Sequence, residues 1–252
     1  MPKQKTMKKN LFTLALALAT VFAQAQTANE IIQASHEAMG GKNWNNIQGL
    51  KYNANLEQMG MKIPLEVVQL RDGRMYSKVT FQGMEIMQGV YDGESVWSTN
   101  FMTQKAEKAD SETTENTKRT CKDFPLAIFC AEKLGYVASL EDEETVDGVA
   151  CYKIKLDKKS QLSEGKEIPN VEYYFIDKDS KAIIMTEEEI TEGEMKGKIA
   201  QTKYSDYQEV NGVYVAFSQT MGLKDGESQA ITFEKVEANP TVADATFKMP
   251  TE

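Results

Sequence analysis

Few residues of this chain have the types and the spacing that catalysis requires. The chain has one histidine, His36, so no Ser-His-Asp or Cys-His arrangement can be assembled without it. A lone histidine in a helix is typical of a surface or packing residue. The acidic runs at 141–144 and 187–189 are typical of solvated strand ends, and Asp177 and Asp179 form only a weak calcium motif. We therefore predict that the protein is not an enzyme and holds no metal.

The cysteines offer no cofactor chemistry either. Cys121, Cys130 and Cys151 allow at most one disulfide within the chain, and their spacing matches no metal or redox motif. We favour the interpretation that they are buried, unreactive thiols. The chain also lacks a glycine-rich phosphate loop. The sequence therefore predicts that no cofactor is bound.

Methionine is the residue whose distribution points to ligand binding. Six of the eleven methionines beyond residue 25 lie among the first predicted strands: Met59, Met61, Met75, Met84, Met87 and Met102. Methionine is flexible and polarisable, so it lines surfaces that accept ligands of variable shape. The alternative interpretation is ordinary gap-filling in a core. A cavity with such a lining would suit acyl chains, because each buried methylene contributes about 0.8 kcal/mol.

The first 25 residues have the anatomy of a secretory signal peptide. Four lysines precede the apolar run 11–22, and Ala23-Gln24-Ala25 is a small-x-small cleavage site. The apolar run is shorter than the ~20 residues that a membrane helix needs. Gln26 follows the cleavage site, so no cysteine is there to carry a lipid. We expect a cleaved leader over 1–25 and a soluble, unanchored periplasmic protein over 26–252.

The charge of the exported part excludes some partners. The chain has 29 basic and 38 acidic residues, and losing the four leader lysines leaves 25 against 38, a net charge of −13 over 227 residues. So acidic a surface repels phosphate backbones and anionic lipid headgroups, which argues against nucleic acid as a partner. A length of this order is typical of one large domain. We expect a single domain over 26–252.

The order of periodicities predicts one helix followed by a long antiparallel sheet. Residues 27–39 are typical of a helix that Gly40-Gly41 ends. From Gly49 onward the apolar period becomes two. Five pairs are typical of tight hairpin turns: Asp72-Gly73, Asp92-Gly93, Asp147-Gly148, Asn211-Gly212 and Asp225-Gly226. About eleven strands result, too many for a flat open sheet, so a half-open, curled sheet with helices (mainly β, α+β) is predicted.

One segment interrupts the predicted sheet. Residues 102–120 are polar and are predicted to contain no strand, and 123–134 is predicted to form a short helix. Its side chains Phe124, Leu126, Ile128 and Phe129 are too apolar to remain in water. The concave face of a curled sheet is the surface that can bury them. We therefore predict that 123–134 is a lid helix that closes this face together with the N-terminal helix.

Four stretches resemble the LolA-like superfamily of periplasmic lipoprotein carriers, especially its divergent outer-membrane lipoprotein-sorting proteins. They extend over nearly the whole exported chain. They are Ala38-Met39-Gly40-Gly41 with Trp44 and Ile47; Gln69-Leu70-Arg71-Asp72-Gly73-Arg74-Met75; Val90-Tyr91-Asp92-Gly93 with Trp97 and Asn100; and Asp244-Ala245-Thr246-Phe247-Lys248-Met249-Pro250. The resemblance implies a half-open barrel with helices closing it as a lid.

The resemblance also implies a function and a set of site residues. The function is that of a carrier which binds acyl chains of lipoproteins or other lipids and moves them from an inner-membrane exporter towards an outer-membrane acceptor. Arg71 would hold the lid shut by hydrogen bonds to the helices; the alternative, since Asp72 replaces the usual proline, is an exposed turn arginine. The candidate cavity and lid residues are Arg71, Met75, Met84, Met87, Trp97, Phe124, Leu126, Ile128 and Phe129. A non-transport binding module or envelope-stress sensor on the same fold is the alternative function.

Overall fold

The computed structural model describes residues 26–58 and 61–250. The predicted signal peptide and Met59 lie outside the described residues. Within the described part of the chain, no helix is long and apolar enough to cross a membrane.

The N-terminal helix α1, Ala28–Ala38, begins and ends where the sequence predicts. Thr27 accepts a hydrogen bond from the backbone of Glu30, whose carboxylate accepts one in return from the backbone N–H of Thr27, which forms a capping box. Gly40 has a φ of 117°, and a Cβ there would lie 2.7 Å from the Cα of Val213. Only glycine fits this position, so Gly40 both ends the helix and lets the following 3₁₀ helix Gly41–Asn46 approach the sheet.

The strands dominate the rest of the chain. Their bounds are β1 Gly49–Gln58, β2 Met61–Leu70, β3 Met75–Phe81, β4 Met84–Tyr91, β5 Val96–Thr99, β6 Ala106–Lys108, β7 Val137–Leu140, β8 Glu144–Val146, β9 Val149–Asp157, β10 Gln161–Ser163, β11 Lys166–Ile168, β12 Val171–Asp177, β13 Ile183–Glu189, β14 Ile199–Val210, β15 Val213–Leu223 and β16 Ser228–Ala238. Fourteen of the strands in the described residues form one sheet, and β10 and β11 form a separate pair. The count exceeds the predicted eleven because short strands extend both edges.

The sheet is antiparallel, curled and half-open. Its order is β6-β5-β4-β3-β2-β1-β16-β15-β14-β13-β12-β9-β7, with β8 also pairing β9. The first and last strands, β1 and β16, are neighbours in the middle of the sheet. Strands β6 and β7 end the order at opposite edges and do not pair with each other. The predicted fold class is confirmed.

All five predicted hairpin turns join antiparallel neighbours. At the β14–β15 turn, Asn211 and Gly212 have φ values of 51° and 81°. Two consecutive positive φ angles are the requirement of a type I′ turn. The side-chain amide of Asn43 donates to the carbonyl of Gly212 over 2.8 Å, which ties this turn to the 3₁₀ helix.

The segment between β6 and β7 differs from its prediction. Residues 102–120 contain β6 and a helix, α2 Ser111–Thr120, which Asp110 caps. Helix α2 has almost no apolar residues, so it lacks the periodicity by which a helix is recognised. Residues 123–134 form a 3₁₀ helix, Ala127–Cys130, and a single α turn, α3 Ala131–Leu134, instead of one helix. Pro125 explains the late start, because proline disfavours helical geometry in the residue before it.

Both faces of the sheet bury apolar side chains. On the face that we call the inner face, α1 and the segment 124–136 pack on β9, β12 and β13. On the outer face, Val68, Tyr76 and Trp97 enclose Phe247 of the C-terminal segment, which is 1% exposed. The indole N–H of Trp97 donates to the carbonyl of Phe247 over 2.8 Å. The C-terminal segment therefore covers the outer face of the first half of the sheet.

Candidate ligand-binding cavity

A cavity of about 450 Å³ lies between the inner face of the sheet and the segment 123–127. This volume falls in the ~300–1,000 Å³ range of small-molecule sites. The apolar part of its wall consists of Leu65, Val67, Pro125, Leu126, Ala127, Met221, Ile231 and Phe233. The polar and aromatic part consists of Tyr52, Gln69, Tyr174, Tyr204, Asp123, Glu172 and Gln219. The site is therefore an amphipathic pocket whose larger surface is apolar and aromatic.

Strand register explains why distant residues share this wall. Tyr52 of β1 is paired with Val67 of β2, and Gln219 of β15 is paired with both Tyr204 of β14 and Ile231 of β16. Paired residues of antiparallel strands project from the same face. A side chain one position away, such as Val68, belongs to the outer face.

A smaller recess of about 80 Å³ extends the cavity beneath the N-terminal elements. Tyr52, Tyr174 and Tyr204 line both spaces, and the recess adds Met39, Trp44 and Tyr207 among others. The indole N–H of Trp44 donates to the carbonyl of Met39 over 2.9 Å. This bond holds the 3₁₀ helix against the end of α1 above the recess.

Four tyrosines give the cavity its aromatic character. Tyr204 shares a 3.2 Å hydrogen bond with the hydroxyl of Thr186, and the hydroxyl of Tyr207 donates to the carbonyl of Ile183 over 2.5 Å. Burial raises the pKa of Tyr204 to about 12, and burial also raises the pKa of Tyr52, Tyr174 and Tyr207. All four phenols are therefore neutral at physiological pH and present rings and hydroxyls, not charges.

The predicted lid residues have different roles in the packing. Leu126 is half-buried and lines the cavity and the recess. Ile128 is 1% exposed and packs in the inner core with α1, while Phe129 lies at its margin, 5.1 Å from His36 ring to ring. Phe124 is buried edge-on against Trp44, with ring centres 6.5 Å apart. The structure therefore brings these four side chains to the inner face, and Leu126 is the one at the cavity wall.

Arg71 joins the β2–β3 turn to the elements above the cavity. Its Nε donates to the carbonyl of Ile47 over 2.7 Å, and its Nη2 donates to the carbonyl of Trp44. Its guanidinium carbon lies 5.1 Å from the centre of the Phe124 ring. The side chain thus caps the end of the 3₁₀ helix and contacts the inserted segment, and it is not directed into solvent.

The other predicted residues are not brought together. Met75 lines a separate recess beside Phe124, and Met84 lines a surface recess beside Phe101. Met87 and Trp97 pack on the outer face with Val68, so the cavity lining predicted for them is corrected. The reason is the strand period of two, which places residues of opposite parity on opposite faces.

Sequence reasoning missed the tyrosines and the methionines that do line the site. Met39 and Met221 reach it, although neither belongs to the methionine-rich first strands. Tyr52 lies on β1, Tyr174 on β12 and Tyr204 on β14, each at a position whose side chain projects from the inner face of the sheet. Aromatic residues at inward positions of a curled sheet were the available signal.

The cavity ends at a group of charges, of which Asp123, Lys158 and Glu172 are half-buried and Glu188 is exposed. The Nζ of Lys158 lies 3.1 Å from a carboxylate oxygen of Glu172, and the hydroxyl of Tyr136 donates to Asp123 over 2.7 Å. Burial raises the pKa of Asp123, and desolvation together with the charge of Glu172 raises the pKa of Glu188. Burial favours the neutral form of Lys158, but Glu172 outweighs it and raises the pKa of that ammonium. Lys158 is therefore charged, and Glu172 is its ion-pair partner.

The three thiols are free and show no sign of reactivity. Cys121 and Cys130 are half-buried and Cys151 is buried, and all three are free. Burial raises the pKa of each thiol, which keeps it protonated. No group of three or more histidine, cysteine, aspartate or glutamate residues that could hold a metal occurs in the part of the chain that the structure describes.

Comparison with known proteins gives matches in structure alone. No protein-family model matches the chain, and no curated protein matches it. A DUF1329 family protein from Desulfovibrio piger aligns over 89% of this chain and 98% of its own, with a TM-score of 0.54 at 13% identity. A LolA superfamily protein from Nitrosomonas europaea aligns over 89% and 98%, with a TM-score of 0.53 at 12% identity. A putative outer membrane lipoprotein-sorting protein domain from Vibrio parahaemolyticus aligns over 86% and 94%, with a TM-score of 0.51 at 12% identity.

The sheet and its covering segments place the chain in the class of half-open antiparallel barrels with helical elements over one face. Within that class the three solved structures identify a divergent LolA-like fold. The resemblance predicted from the sequence is confirmed at the level of fold.

Proposed function

We propose that this protein is a periplasmic carrier that binds an acyl chain of a lipoprotein or other lipid in the inner-face cavity. The observation that supports the proposal is a cavity of about 450 Å³ with a partly apolar wall, covered on one side by residues 123–127 of the inserted segment. Each methylene moved from water into such a space contributes about 0.8 kcal/mol. A binding and transfer role needs no catalytic group.

The segment 123–134 would act as the lid. Leu126 lies at the wall of the cavity, and Pro125 lines the same wall. An entering chain would displace Leu126 from the tyrosines and replace its contacts with contacts of its own. Because one apolar group is exchanged for another, loading and unloading would require modest free energy.

The transport route is part of the proposal. Residues 26–252 would act as one domain after removal of the leader 1–25, and the carrier would receive cargo from an inner-membrane exporter and deliver it to an outer-membrane acceptor. One solved structure of this fold is described as a putative outer membrane lipoprotein-sorting protein domain, which supports a role in lipoprotein sorting. An acidic surface, with 38 acidic against 29 basic residues, disfavours adsorption to anionic lipid on the way.

Filling the cavity tests the proposal. Gln219→Trp places a bulky ring in the space, whereas Thr220→Trp, one position along β15, places it on the opposite face. We expect Gln219→Trp to weaken binding of a fluorescent acyl-chain probe by about tenfold or more, and Thr220→Trp to leave it unchanged. Equal binding by both variants and the wild type would remove the cavity from the function.

The cargo itself is tested on protein purified from its own periplasm. Mass spectrometry of the native protein should detect a copurifying acylated peptide or phospholipid. A protein that carries no lipid and binds no acyl probe would contradict the carrier proposal and leave the binding-module or envelope-stress-sensor alternative on the same fold.

A further inference from the structure

The inner-face cavity is long and narrow. Its lining comes from six strands, β2, β1, β16, β15, β14 and β12, which span seven neighbouring places in the sheet order. Neighbouring strands lie about 4.8 Å apart, so the cavity crosses the sheet instead of following one pair of strands. A volume of about 450 Å³ spread over this distance leaves a small cross-section. This is the shape of a channel for one chain.

The volume of the cavity sets how many methylene groups it holds. A methylene group takes about as much space as a water molecule in the liquid, roughly 30 Å³. The cavity of about 450 Å³ therefore holds a chain of about 15 carbons. Three chains of that length would need roughly three times the volume.

Contacts between wall residues hold the cavity at this size. The ring centres of Tyr52 and Phe233 lie 5.0 Å apart, and both residues line the cavity. Tyr204, on the same wall, shares a 3.2 Å hydrogen bond with the hydroxyl of Thr186. Widening the channel for a second chain would break these contacts in a tightly packed sheet face.

The surroundings of the cavity offer little further room for a chain. Ile154, Ile176 and Ile183 are buried in the inner core, so that part of the inner face is filled. Withdrawal of Leu126 adds space for about four carbons, the size of its side chain. A second cavity of about 430 Å³ at the β10–β11 pair suits methylene groups poorly because most of its lining is polar, including Gln161, Lys166, Asn170, Glu188, Thr191 and Lys196.

We infer that the inner-face cavity takes one acyl chain of about 15 carbons, or a few more when Leu126 withdraws, and that the cargo is a lipid or peptide with a single such chain. The further chains of a diacyl or triacyl lipid would stay outside the cavity and gain nothing from it. The inference rests on the proposed function and narrows its cargo.

A series of chain lengths tests the capacity. Lysophosphatidylcholines from decanoyl to arachidoyl share one head group, and each is titrated below its micelle concentration against a neutral fluorescent dye bound in the inner-face cavity. We expect each added methylene to tighten binding by about two- to fourfold until the channel is full. The gain should stop between the palmitoyl and the stearoyl lipid.

The number of chains is tested at constant carbon content. Palmitoyl-lysophosphatidylcholine and dioctanoylphosphatidylcholine carry the same number of acyl carbons on the same head group, in one chain and in two. We expect the single-chain lipid to displace the dye at about tenfold lower concentration or less, because the second chain finds no room. Native mass spectrometry should show one bound lysolipid for each protein chain.

Two variants of β2 assign the limit to the cavity wall. Leu65 lines the cavity, whereas Leu70, also half-buried on β2, packs with Val68 on the outer face. Leu65→Ala removes three carbons from the wall, so the chain length at which the gain stops should increase by about three methylenes or fewer. Leu70→Ala makes the same change on the other face and should leave that chain length unchanged.

Two ligands distinguish the sources of a single chain. A singly palmitoylated peptide and palmitoyl-lysophosphatidylcholine carry the same chain on different groups, and the one that displaces the dye at lower concentration identifies the source. Binding of either ligand at one for each protein chain supports the inference.

The outcomes separate the inference from the proposed function. Affinity that still rises at the same step from the stearoyl to the arachidoyl lipid, or that stops rising at the lauroyl lipid, would overturn the stated capacity and leave acyl binding intact. Equal displacement by the palmitoyl and dioctanoyl lipids would overturn the single-chain inference. Failure of every lipid to displace the dye would contradict the proposed function as well.

Discussion

The guanidinium carbon of Arg71 lies 5.1 Å from the centre of the Phe124 ring, over the first aromatic residue of the inserted segment. The same guanidinium donates to the carbonyls of Trp44 and Ile47 at the end of the 3₁₀ helix. One side chain therefore links the β2–β3 turn, the N-terminal elements and the proposed lid. The sequence resemblance implies a lid-holding arginine at this position, and the geometry supports that proposal.

Removing this arginine should loosen the lid. Arg71→Ala leaves two carbonyls without their donor and removes the cation–π contact, so we expect a loss of about 2 kcal/mol in the free energy of unfolding. We also expect stronger binding of a hydrophobic dye, because Phe124 loses its cover. Chemical denaturation and dye titration measure the two effects.

Arg74→Ala is the matched control for Arg71→Ala. Arg74 lies three residues along, pairs with Asp72 and Asp244, and covers Phe247 on the outer face. Its loss should lower stability and leave dye binding unchanged. A rise in dye binding of equal size in both variants would contradict a specific role for Arg71 at the lid.

A charge at the tip of the lid should hold the cavity open. Leu126→Asp places a carboxylate against the tyrosine wall, which is unfavourable unless the segment moves outward. We expect binding of a hydrophobic dye to increase. Leu140→Asp makes the same change at the β7 edge, where Leu140 is 37% exposed, and should have no effect on the dye. Identical dye binding by Leu126→Asp and the wild type would remove 123–134 as the lid.

Asp123 should make the protein less stable as pH rises from acid to neutral. Burial raises the pKa of this carboxyl above its ordinary value of 3.8. The folded state therefore holds the proton to a higher pH than the unfolded state, so its stabilising contribution is complete below pH 3.8 and is lost as pH rises through the folded pKa. Asp123→Asn keeps an acceptor for Tyr136 and cannot ionise. Its free energy of unfolding relative to the wild type should increase over that interval.

Asp92→Asn should show the opposite sign and serves as the comparison. Burial opposes ionisation of Asp92, but hydrogen bonds from the backbone of Ser95 and Glu94 outweigh it and lower the pKa of that carboxyl. The wild type gains stability as pH rises through the depressed pKa, so the variant should lose stability relative to it. Parallel pH profiles for the two variants would show that burial of Asp123 has no such consequence.

Trp97 should contribute to stability and not to ligand binding. Trp97→Phe removes the 2.8 Å hydrogen bond to the carbonyl of Phe247 and leaves that buried acceptor unpaired, at a cost of about 1–3 kcal/mol. Thermal or chemical unfolding should register the loss, while the affinity for an acyl-chain probe stays at the wild-type value. A reduced affinity in folded Trp97→Phe would return Trp97 to the candidate binding residues.

Local chemistry explains which elements were predictable. The Asn211-Gly212 turn follows from the positive φ angles that these two residues tolerate, and α1 follows from its cap at Thr27 and its end at Gly40. Helix α2 escaped prediction because its stability comes from the cap of Asp110 and the Arg119–Glu115 pair, not from an apolar face. The apolar run 123–134 suggested a single lid helix. Pro125 argued against one, because proline disfavours helical geometry in the residue before it.

The sequence by itself determined the antiparallel strands, their turns, the acidic charge and the presence of an apolar inserted segment. Tertiary structure alone decided which residues line the cavity. Alternation along a strand separates Val67 from Val68, but both faces of this sheet are buried, so the pattern does not say which face holds the space. The choice depends on what covers each face: the segment 123–134 over one and the C-terminal segment with Phe247 over the other. These are long-range contacts, and no local preference encodes them.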